Sequence, residues 1–368
     1  MNHIHIVDTT LRDGGQAPGV AFSLDEKLTI ARMLDDIGVH EIECGIPAMG
    51  EEEQHAVRRI VNLGLGARIM TWNRAVISDI EASLRCGVSA VAISLPVSNR
   101  QIANKLGKTR EWVLERLEHA VRFAKEHQLS VCVGAEDASR ADHDFLAAYG
   151  SVAQAAGADR IRFSDTVGRM DPFHLYDRVS GLMARVDLPV EIHTHNDFGM
   201  ATANALAGVR AGAAFVSTTV LGIGERAGAA ALEEVAMALN HLHGADLGLR
   251  FSLLPDLCRY VARASGREIP PDKPIVGSAI FWHESEIHAG AVLTDPGDYE
   301  PYPPEKLGRS REIVLGTHSG RRAVSYRLGR LGITREPEEV NHLVKRVRSL
   351  SGRVKRVLSD EELMELCR

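Results

Sequence analysis

The chain has 368 residues and a formal net charge of −6, with 45% hydrophobic and 25% charged residues. This composition is ordinary for a globular protein and provides no basic face for nucleic acid. No apolar run reaches the roughly 20 residues of a membrane span. The N-terminus, Met1-Asn2-His3-Ile4, enters a strand pattern without a signal peptide. Five scattered cysteines without a C-x-x-C pair indicate free thiols in a reducing compartment. We therefore expect a cytoplasmic protein with no nucleic-acid or membrane partner.

Strand-like apolar runs alternate with amphipathic helical segments from the N-terminus onward. Strands are predicted at 4–11, 41–46, 68–72, 91–97, 130–136, 160–167, 190–195 and 215–220, and helices among them at 24–37, 52–63, 110–127, 142–156, 172–186 and 200–211. Ser23 and Glu26 predict a capping box, and Gly38 and Gly212 each close a helix before the next strand. This order predicts an α/β fold, a (β/α)8 TIM barrel. An open doubly wound sheet is the alternative, disfavoured because no Gly-rich phosphate turn follows the first strand.

The whole chain is longer than a barrel alone requires. The part that follows the barrel is predicted to form a C-terminal, mostly helical appendage. We place the catalytic barrel at residues 1–247, and a linker with a helical subdomain at residues 248–368. Residues 298–304 predict an irregular linker, whereas 338–350 and 360–367 predict helices. Pro337 stands where proline suits a helix start.

Polar residues collect at the predicted carboxyl ends of the strands, where (β/α)8 barrels carry their active sites. His193 and His195 end the seventh strand and, two residues apart, point to the same face. A pair of ordinary histidines is the alternative, because the chain has 16. Other polar strand ends lie at 9–16, 136–140, 165–166 and 222–226, so one rim gathers residues from distant parts of the sequence.

The residue types at this rim predict a metal site. Two imidazoles and one carboxylate, which we assign to Asp13, can hold a divalent cation such as Mg²⁺, Mn²⁺ or Zn²⁺ with open positions. Such a cation can chelate a 2-oxo acid and act as a Lewis acid. Arg12 can meet developing negative charge if its side chain turns inward, although a surface arginine is the simpler interpretation.

Two long motifs resemble the signatures of the 2-isopropylmalate, homocitrate and citramalate synthases. The first comprises residues 11–16 followed by Lys27, and the second Val190 followed by residues 193–199. Residues 222–228 and 316–320 also resemble the family, and the similarity covers nearly the whole chain. Residues 20–22, 45–53 and 136–142 are most similar to the short homocitrate synthases associated with nitrogen fixation.

The resemblance implies condensation of acetyl-CoA, as co-substrate, with a metal-bound 2-oxo acid. It implies metal ligands at Asp13, His193 and His195, and catalytic roles for Arg12, Glu136, His288 and Tyr299, with Thr166 holding the first carboxylate of the acid. His288 would complete the active site of the other subunit in a homodimer, and Glu136 would pair with that histidine for proton transfer. Without the family, His288 would be interpreted as a structural histidine.

Substrate choice is predicted to depend on Arg140. The resemblance implies that its guanidinium binds the distal carboxylate of 2-oxoglutarate, which an apolar acid would leave unpaired. Oxaloacetate is an alternative substrate. The alternative for Arg140 is that it only begins the next helix.

Two positions depart from the family pattern. Gly15 replaces a Glu or Asn at a variable position, and Ala229 replaces an Asn that lies beside the metal in relatives. We expect homocitrate synthase, with a sister citrate, citramalate or 2-isopropylmalate synthase as the alternative. A metal-dependent aldolase or lyase is disfavoured by the segment around His288, and a non-catalytic relative by the retained site residues. The chain has no segment matching the large regulatory domain of leucine-pathway relatives, so leucine inhibition through such a domain is not expected.

Overall fold

The computed structural model describes residues 4–368, so the prediction made for Met1-Asn2-His3 lies outside the described residues. The chain divides into two compact units, the first ending at Ile269 and the second running from Pro270 to Arg368. This division falls later than the predicted boundary after residue 247. The reason is that the segment after the barrel returns to it, with the Arg250 N–H donating to the Ile37 carbonyl at 2.8 Å.

The first unit is a closed barrel of parallel strands. The strands are β1 (His5–Asp8), β2 (Glu41–Glu43), β3 (Arg68–Arg74), β4 (Ala90–Pro96), β5 (Ser130–Glu136), β6 (Arg160–Asp165), β7 (Val190–Thr194) and β8 (Phe215–Thr218). Each strand pairs with the next, and β8 closes on β1 with His5 opposite Phe215. The predicted TIM barrel is therefore confirmed, and the open doubly wound sheet is excluded.

Helices follow the strands around the outside of the barrel. They are α1 (Leu24–Ile37), α2 (Glu51–Val61), α3 (Ile77–Arg85), the single turn α4 (Asn99–Gln101) with a π-helical turn at Ile102–Leu106, α5 (Arg110–Glu126), α6 (His143–Ala156), α7 (Pro172–Met183), α8 (Ala201–Ala211), α9 (Leu232–His243) and α10 (Leu254–Ala264). The apolar faces of these helices form the core against the strands, with Ile30, Leu34 and Ile37 of α1 fully or almost fully buried. Cys44, Cys86 and Cys132 are buried as free thiols.

Local sequence signals set the helix ends as predicted. Ser23 and Glu26 form the reciprocal capping box at the start of α1. Gly38 ends the helix with φ of 99°, a left-handed conformation that residues with a Cβ rarely adopt. The chain can therefore turn at once into β2.

The interior of the barrel below the site is charged rather than apolar. Arg160 binds Glu41 and Glu191, and Arg162 binds Glu43 and Glu191, with N–O distances of 2.5 to 2.7 Å. All five side chains are buried. Barrels of this kind usually fill the interior with branched apolar residues, so this network is a specific feature of the chain.

The second unit is mostly helical, as predicted. It contains β9 (Trp282–His283), α11 (Glu286–Val292), β10 (Glu312–Ile313), α12 (Arg321–Arg330), α13 (Pro337–Val354) and α14 (Asp360–Leu366). Its core comprises side chains such as Leu315, Val324, Val340, Val347 and Leu363. The predicted linker carries short 3₁₀ turns at Pro296–Asp298 and Pro304–Leu307. Across residues 4–368, no helix combines the length and apolar character that crossing a membrane requires.

Candidate metal centre and active site

The two histidines at the end of β7 lie side by side inside the barrel. His193 and His195 are both buried, with 6% exposure each, and their Nε2 atoms are 3.3 Å apart. Thr194, between them, faces the other way and donates its hydroxyl to the carbonyl of Ala201 at 3.0 Å. Strand alternation therefore directs both imidazoles to the same place.

Asp13 joins the histidines from the loop after β1. Its Oδ2 is 3.9 Å from His193 Nε2, and the ligand atoms of Asp13, His193 and His195 all lie within 4.8 Å of one another. Within the described residues, Asp13 Oδ2 is buried and has no hydrogen-bond partner. A buried, unpartnered carboxylate oxygen beside two imidazole nitrogens fits a divalent cation.

The protonation states of these residues suit metal binding. Burial lowers the pKa of His193 to about 3, so its imidazole is neutral and offers a lone pair. Burial alone would raise the pKa of Asp13, but the Arg12 charge and then the two imidazoles oppose it, and the pKa lies below its ordinary value. His195 Nδ1 is 3.2 Å from the Gly228 carbonyl, a contact that holds the proton on Nδ1 and leaves Nε2 for a ligand.

The loop after β8 reaches the site through glycine. Gly228 has φ of 93°, and a Cβ there would lie 2.0 Å from the Gly222 carbonyl oxygen, so a larger residue cannot occupy this position. The next residue, Ala229, is buried and forms an antiparallel bridge with His195. Its methyl group offers no ligand atom, although the backbone beside the site is held in place.

Arg12 is turned into the barrel rather than toward solvent. Its Nη1 lies 3.1 Å from Asp13 Oδ1, and its Nε donates to Glu43. Since the side chain is only 8% exposed, its charge acts in a largely desolvated space. Arg12 is therefore not the surface arginine of the simpler interpretation, and its side chain has the inward orientation that a role at the site requires.

A cavity of about 340 Å³ adjoins the three candidate ligands. Its lining includes the predicted residues Arg12, Asp13, Glu136, Thr166, His193 and His195, together with Gln16, Trp72, Ala92, Ser94, Lys105, Gly134, Arg162, Ser164, Glu225 and Arg226. The structure thus brings most of the predicted site residues of the first unit to one cavity.

Two of these predicted residues have defined partners in the first unit. Glu136 pairs with Lys105 at 2.6 Å, and the Thr166 hydroxyl accepts the Asp137 N–H at 2.8 Å. Thr166 Oγ1 is therefore fixed in orientation, and its own proton stays available to an acceptor.

Among the predicted site residues of the first unit, Arg140 is not brought to the cavity. It is absent from the residues that line the space beside Asp13 and the histidines. Asp137 has left-handed backbone angles and binds the Arg140 guanidinium at 2.7 to 2.9 Å. This pairing uses the charge that was expected to bind the distal carboxylate, so the geometry gives that role no support.

His288 and Tyr299 lie together within the second unit. Their rings are 4.1 Å apart between centroids with an interplanar angle of 30°, and both residues are exposed. His288 sits in the first turn of α11, where its N–H is capped by Ser285. The two predicted residues therefore form one exposed pair.

Sequence reasoning missed several cavity residues. Arg162 and Ser164 lie two positions apart on β6 and both line the cavity, in phase with the predicted Thr166 one residue beyond the strand. The signal was present in the sequence, because polar residues with a period of two interrupt an otherwise apolar strand. Lys105 had no comparable signal, since it lies in the π-helical turn after α4.

Comparison with known proteins agrees with the barrel fold and with the division of the chain into two units. Residues 3–261 match the HMGL-like family, and residues 275–355 match the homocitrate synthase post-HMGL domain-like family. A protein of Caldanaerobacter subterraneus named 2-isopropylmalate synthase 2 is 53% identical over 99% of this chain and 94% of its own length. Homocitrate synthase 1 of a Nostoc species is 54% identical over 100% of this chain and 97% of its own. The HMG-CoA lyase structure of Bacillus subtilis has a TM-score of 0.65 at 16% identity, covering 73% of this chain and 96% of that one, and supports the fold alone.

Proposed function

The chain belongs to the HMGL-like family, and from this we propose that it is a homocitrate synthase. It would condense acetyl-CoA with 2-oxoglutarate and water to give homocitrate and free CoA. The observation that carries the proposal is the buried cluster of Asp13, His193 and His195 in the lining of a polar cavity. The identity of 54% to a homocitrate synthase over the whole chain supports it.

The reaction requires a new carbon–carbon bond and a hydrolysed thioester. The acetyl methyl group loses a proton and attacks the keto carbon, whose oxygen becomes the hydroxyl group of the product. Water then cleaves the thioester, releasing the CoA thiol and a carboxylate. A divalent cation held by Asp13, His193 and His195 would supply Lewis acidity at the keto group.

The residues of the chain would act on charge and protons. Arg12, desolvated beside Asp13, stabilises negative charge developing on oxygen. Thr166, oriented by the Asp137 N–H, donates its hydroxyl to the first carboxylate of the acid. Glu136 and the pair of His288 and Tyr299 would move protons to and from the acetyl group, with Glu136 held in place by its ion pair with Lys105.

We also propose how the protein is organised around this chemistry. The second unit of one chain would complete the active site of its partner in a homodimer, since His288 and Tyr299 are exposed in their own unit. We place the enzyme in the cytoplasm, on its free and scattered cysteines. We place it among the homocitrate synthases of the nitrogen-fixation type, on the motifs at residues 45–53 and 136–142.

A sister synthase is the second candidate, because a relative of 53% identity is named a 2-isopropylmalate synthase. The test is release of the CoA thiol from acetyl-CoA with a panel of acids: 2-oxoglutarate, oxaloacetate, pyruvate and 2-oxoisovalerate. We expect the highest kcat/KM with 2-oxoglutarate. A preference for 2-oxoisovalerate or pyruvate would identify a sister synthase, and no release with any acid would exclude condensation.

A further inference from the structure

We propose that Arg162, assisted by Ser94 and Ser164, binds the distal acid group of the 2-oxo acid and so determines the substrate class. The inference rests on the proposed function and names the residues that give this cavity its selectivity. The distal carboxylate would then bind at the interior face of β6 and not at Arg140, which lies in the loop after β5.

The first observation is an open donor on Arg162. Its Nε binds Glu191 and its Nη2 binds Glu43, at 2.6 and 2.7 Å. Its Nη1 makes no hydrogen bond to any residue between 4 and 368, yet the side chain lines the cavity. The guanidinium is thus held by two glutamates, and its Nη1 remains available to a ligand in the cavity that the residue lines.

The second observation is a pair of hydroxyl groups without partners. Neither Ser94 Oγ on β4 nor Ser164 Oγ on β6 hydrogen-bonds to another described residue, and both residues line the same cavity. An unpaired arginine N–H together with two serine hydroxyls forms a donor set that suits a carboxylate. An alkyl group would leave these donors unsatisfied and is therefore disfavoured.

The third observation is the space beside Arg162. In the barrel register Gly134 is opposite Arg162, and Ser94 is opposite Gly134. A Cβ at position 134 would lie 2.9 Å from Ser94 Oγ, so glycine keeps this level of the barrel open. With Ala92 also small, room remains in front of the guanidinium for a carboxylate.

The position of Arg162 relative to the metal ligands fits a 2-oxo acid that carries a second acid group at its far end. Ser164 is opposite His193 in the register, and Arg162 is one layer deeper, about 6.6 Å along the strand. An acid whose keto group lies at the histidines would direct its far end toward Arg162. The surrounding network is formally neutral, because four arginines (Arg12, Arg68, Arg160 and Arg162) balance Asp13 and three glutamates, so an added carboxylate meets no net negative charge.

The experiment compares two acids that differ only at the far end, 2-oxoglutarate and 2-oxopentanoate. Thiol release gives the ratio of kcat/KM for the two acids in wild type, Arg162→Lys and Ser164→Ala. Lysine keeps the charge inside the network but removes the open guanidinium donor. We expect the ratio to fall roughly 10- to 150-fold in Arg162→Lys and about tenfold in Ser164→Ala, as expected for lost hydrogen bonds to a charged group.

Two further variants distinguish binding of the distal carboxylate by Arg162 from a general effect on the buried network and from binding by Arg140. Arg160→Lys is the matched control, since Arg160 belongs to the same buried network but does not line the cavity. Its ratio should equal that of wild type. Arg140→Ala tests whether Arg140 is the residue that binds the distal carboxylate. An unchanged ratio in both Arg162→Lys and Ser164→Ala, or a loss in Arg140→Ala instead, would overturn the proposal.

Folding and the proposed function are tested separately. Thermal melts followed by circular dichroism report whether each variant folds, and if Arg162→Lys does not, the ratio in Ser164→Ala decides. Calorimetric titration with 2-oxoglutarate alone measures binding without turnover. If wild type releases no thiol with any acid, the proposed reaction fails. Weaker binding in Ser164→Ala would then still support the subsite, and equal binding would overturn it.

Discussion

Asp13 gives the strongest residue-scale evidence for the site. Its Oδ2 is buried without a partner, whereas its Oδ1 is held by Arg12. A carboxylate arranged in this way is costly unless a cation occupies the space between it and the two imidazoles. The site is therefore expected to lose structure as well as activity when the cation is removed.

Removal of one imidazole should remove the metal. We predict that His193→Ala, after dialysis, retains less than a tenth of the wild-type metal content and loses thiol release in parallel, because two ligands hold a cation poorly. Elemental analysis by mass spectrometry measures the metal. His174→Ala, an exposed histidine on α7, is the control. Full activity of a metal-free preparation would contradict the prediction.

The raised pKa of Asp8 should make the stability of the folded protein depend on pH. Burial raises its pKa to about 7, and the charges of Glu233 and Glu43 add to the effect, although Thr10 opposes it by donating two hydrogen bonds. The folded protein holds this proton more tightly than the unfolded chain, so stability should fall as pH rises from about 4 to about 7.

Asp8→Asn should remove this part of the pH dependence, because asparagine keeps the contacts with Thr10 and carries no charge. Between pH 5 and pH 8, we expect the free energy of unfolding to fall by on the order of 2 kcal/mol more in wild type than in the variant. Urea denaturation at the two pH values measures the difference. Equal declines in both proteins would rule out Asp8 as the titrating group.

At the scale of elements, the barrel depends on charges that cross its interior. Arg160 on β6 connects Glu41 on β2 with Glu191 on β7, and Arg162 connects Glu43 with Glu191. Burial alone would raise the pKa of Glu191, but the charges of Arg162 and Arg160 hold it far below its ordinary value. The strands are thus joined by ion pairs as well as by backbone hydrogen bonds.

Removing one member should be far costlier than removing a surface ion pair. Arg160→Met leaves Glu41 and Glu191 with a missing partner and should lower the free energy of unfolding by about 3–5 kcal/mol. Arg122→Met on α5, which breaks the exposed pair with Glu118, should cost less than about 1 kcal/mol. Urea denaturation compares the two, and similar losses would mean that the interior network contributes little.

The elements themselves were largely predictable, because their signals are local. Both ends of α1 and of β5 were predicted to the residue, since a capping box, a C-terminal glycine and an apolar run mark them. β1 was predicted too long, because the chain after Asp8 turns as Thr10 donates to the Asp8 carboxylate. The short α11 and the paired β9 and β10 carry no strong periodicity, and tertiary packing determines them.

The site was predictable where it depends on strand ends and less so where it depends on tertiary contacts. His193 and His195 follow from alternation along one strand. Arg140 and Arg162 are both arginines on or near barrel strands, and the sequence favoured the former through its motif. Only the register and the pairing of Arg140 with Asp137 show which guanidinium lines the cavity.

At the scale of the whole molecule, the chain carries its proposed chemistry in two units. The first holds the candidate metal ligands, and the second holds the exposed pair of His288 and Tyr299. The two family matches, over residues 3–261 and 275–355, follow the same division. We propose that the units cooperate between chains, so that a homodimer contains two composite active sites.

Complementation tests this arrangement. Asp13→Ala and His288→Ala should each be inactive, and mixing them with subunit exchange should restore up to about a quarter of the wild-type activity, because only one composite site in a mixed dimer is intact. Differently tagged chains allow mixed dimers to be purified before the assay. Inactive mixed dimers would show that each chain supplies both groups to its own site.

The most direct test of the central claim is the fate of the acetyl carbons. Acetyl-CoA labelled with ¹³C at both acetyl positions is incubated with 2-oxoglutarate, the enzyme and a divalent metal, and the products are analysed by mass spectrometry. We predict that homocitrate carrying both labelled carbons forms one-to-one with free CoA, and that chelation of the metal abolishes its formation. Free CoA accompanied by labelled acetate, or no labelled tricarboxylic acid, would contradict it.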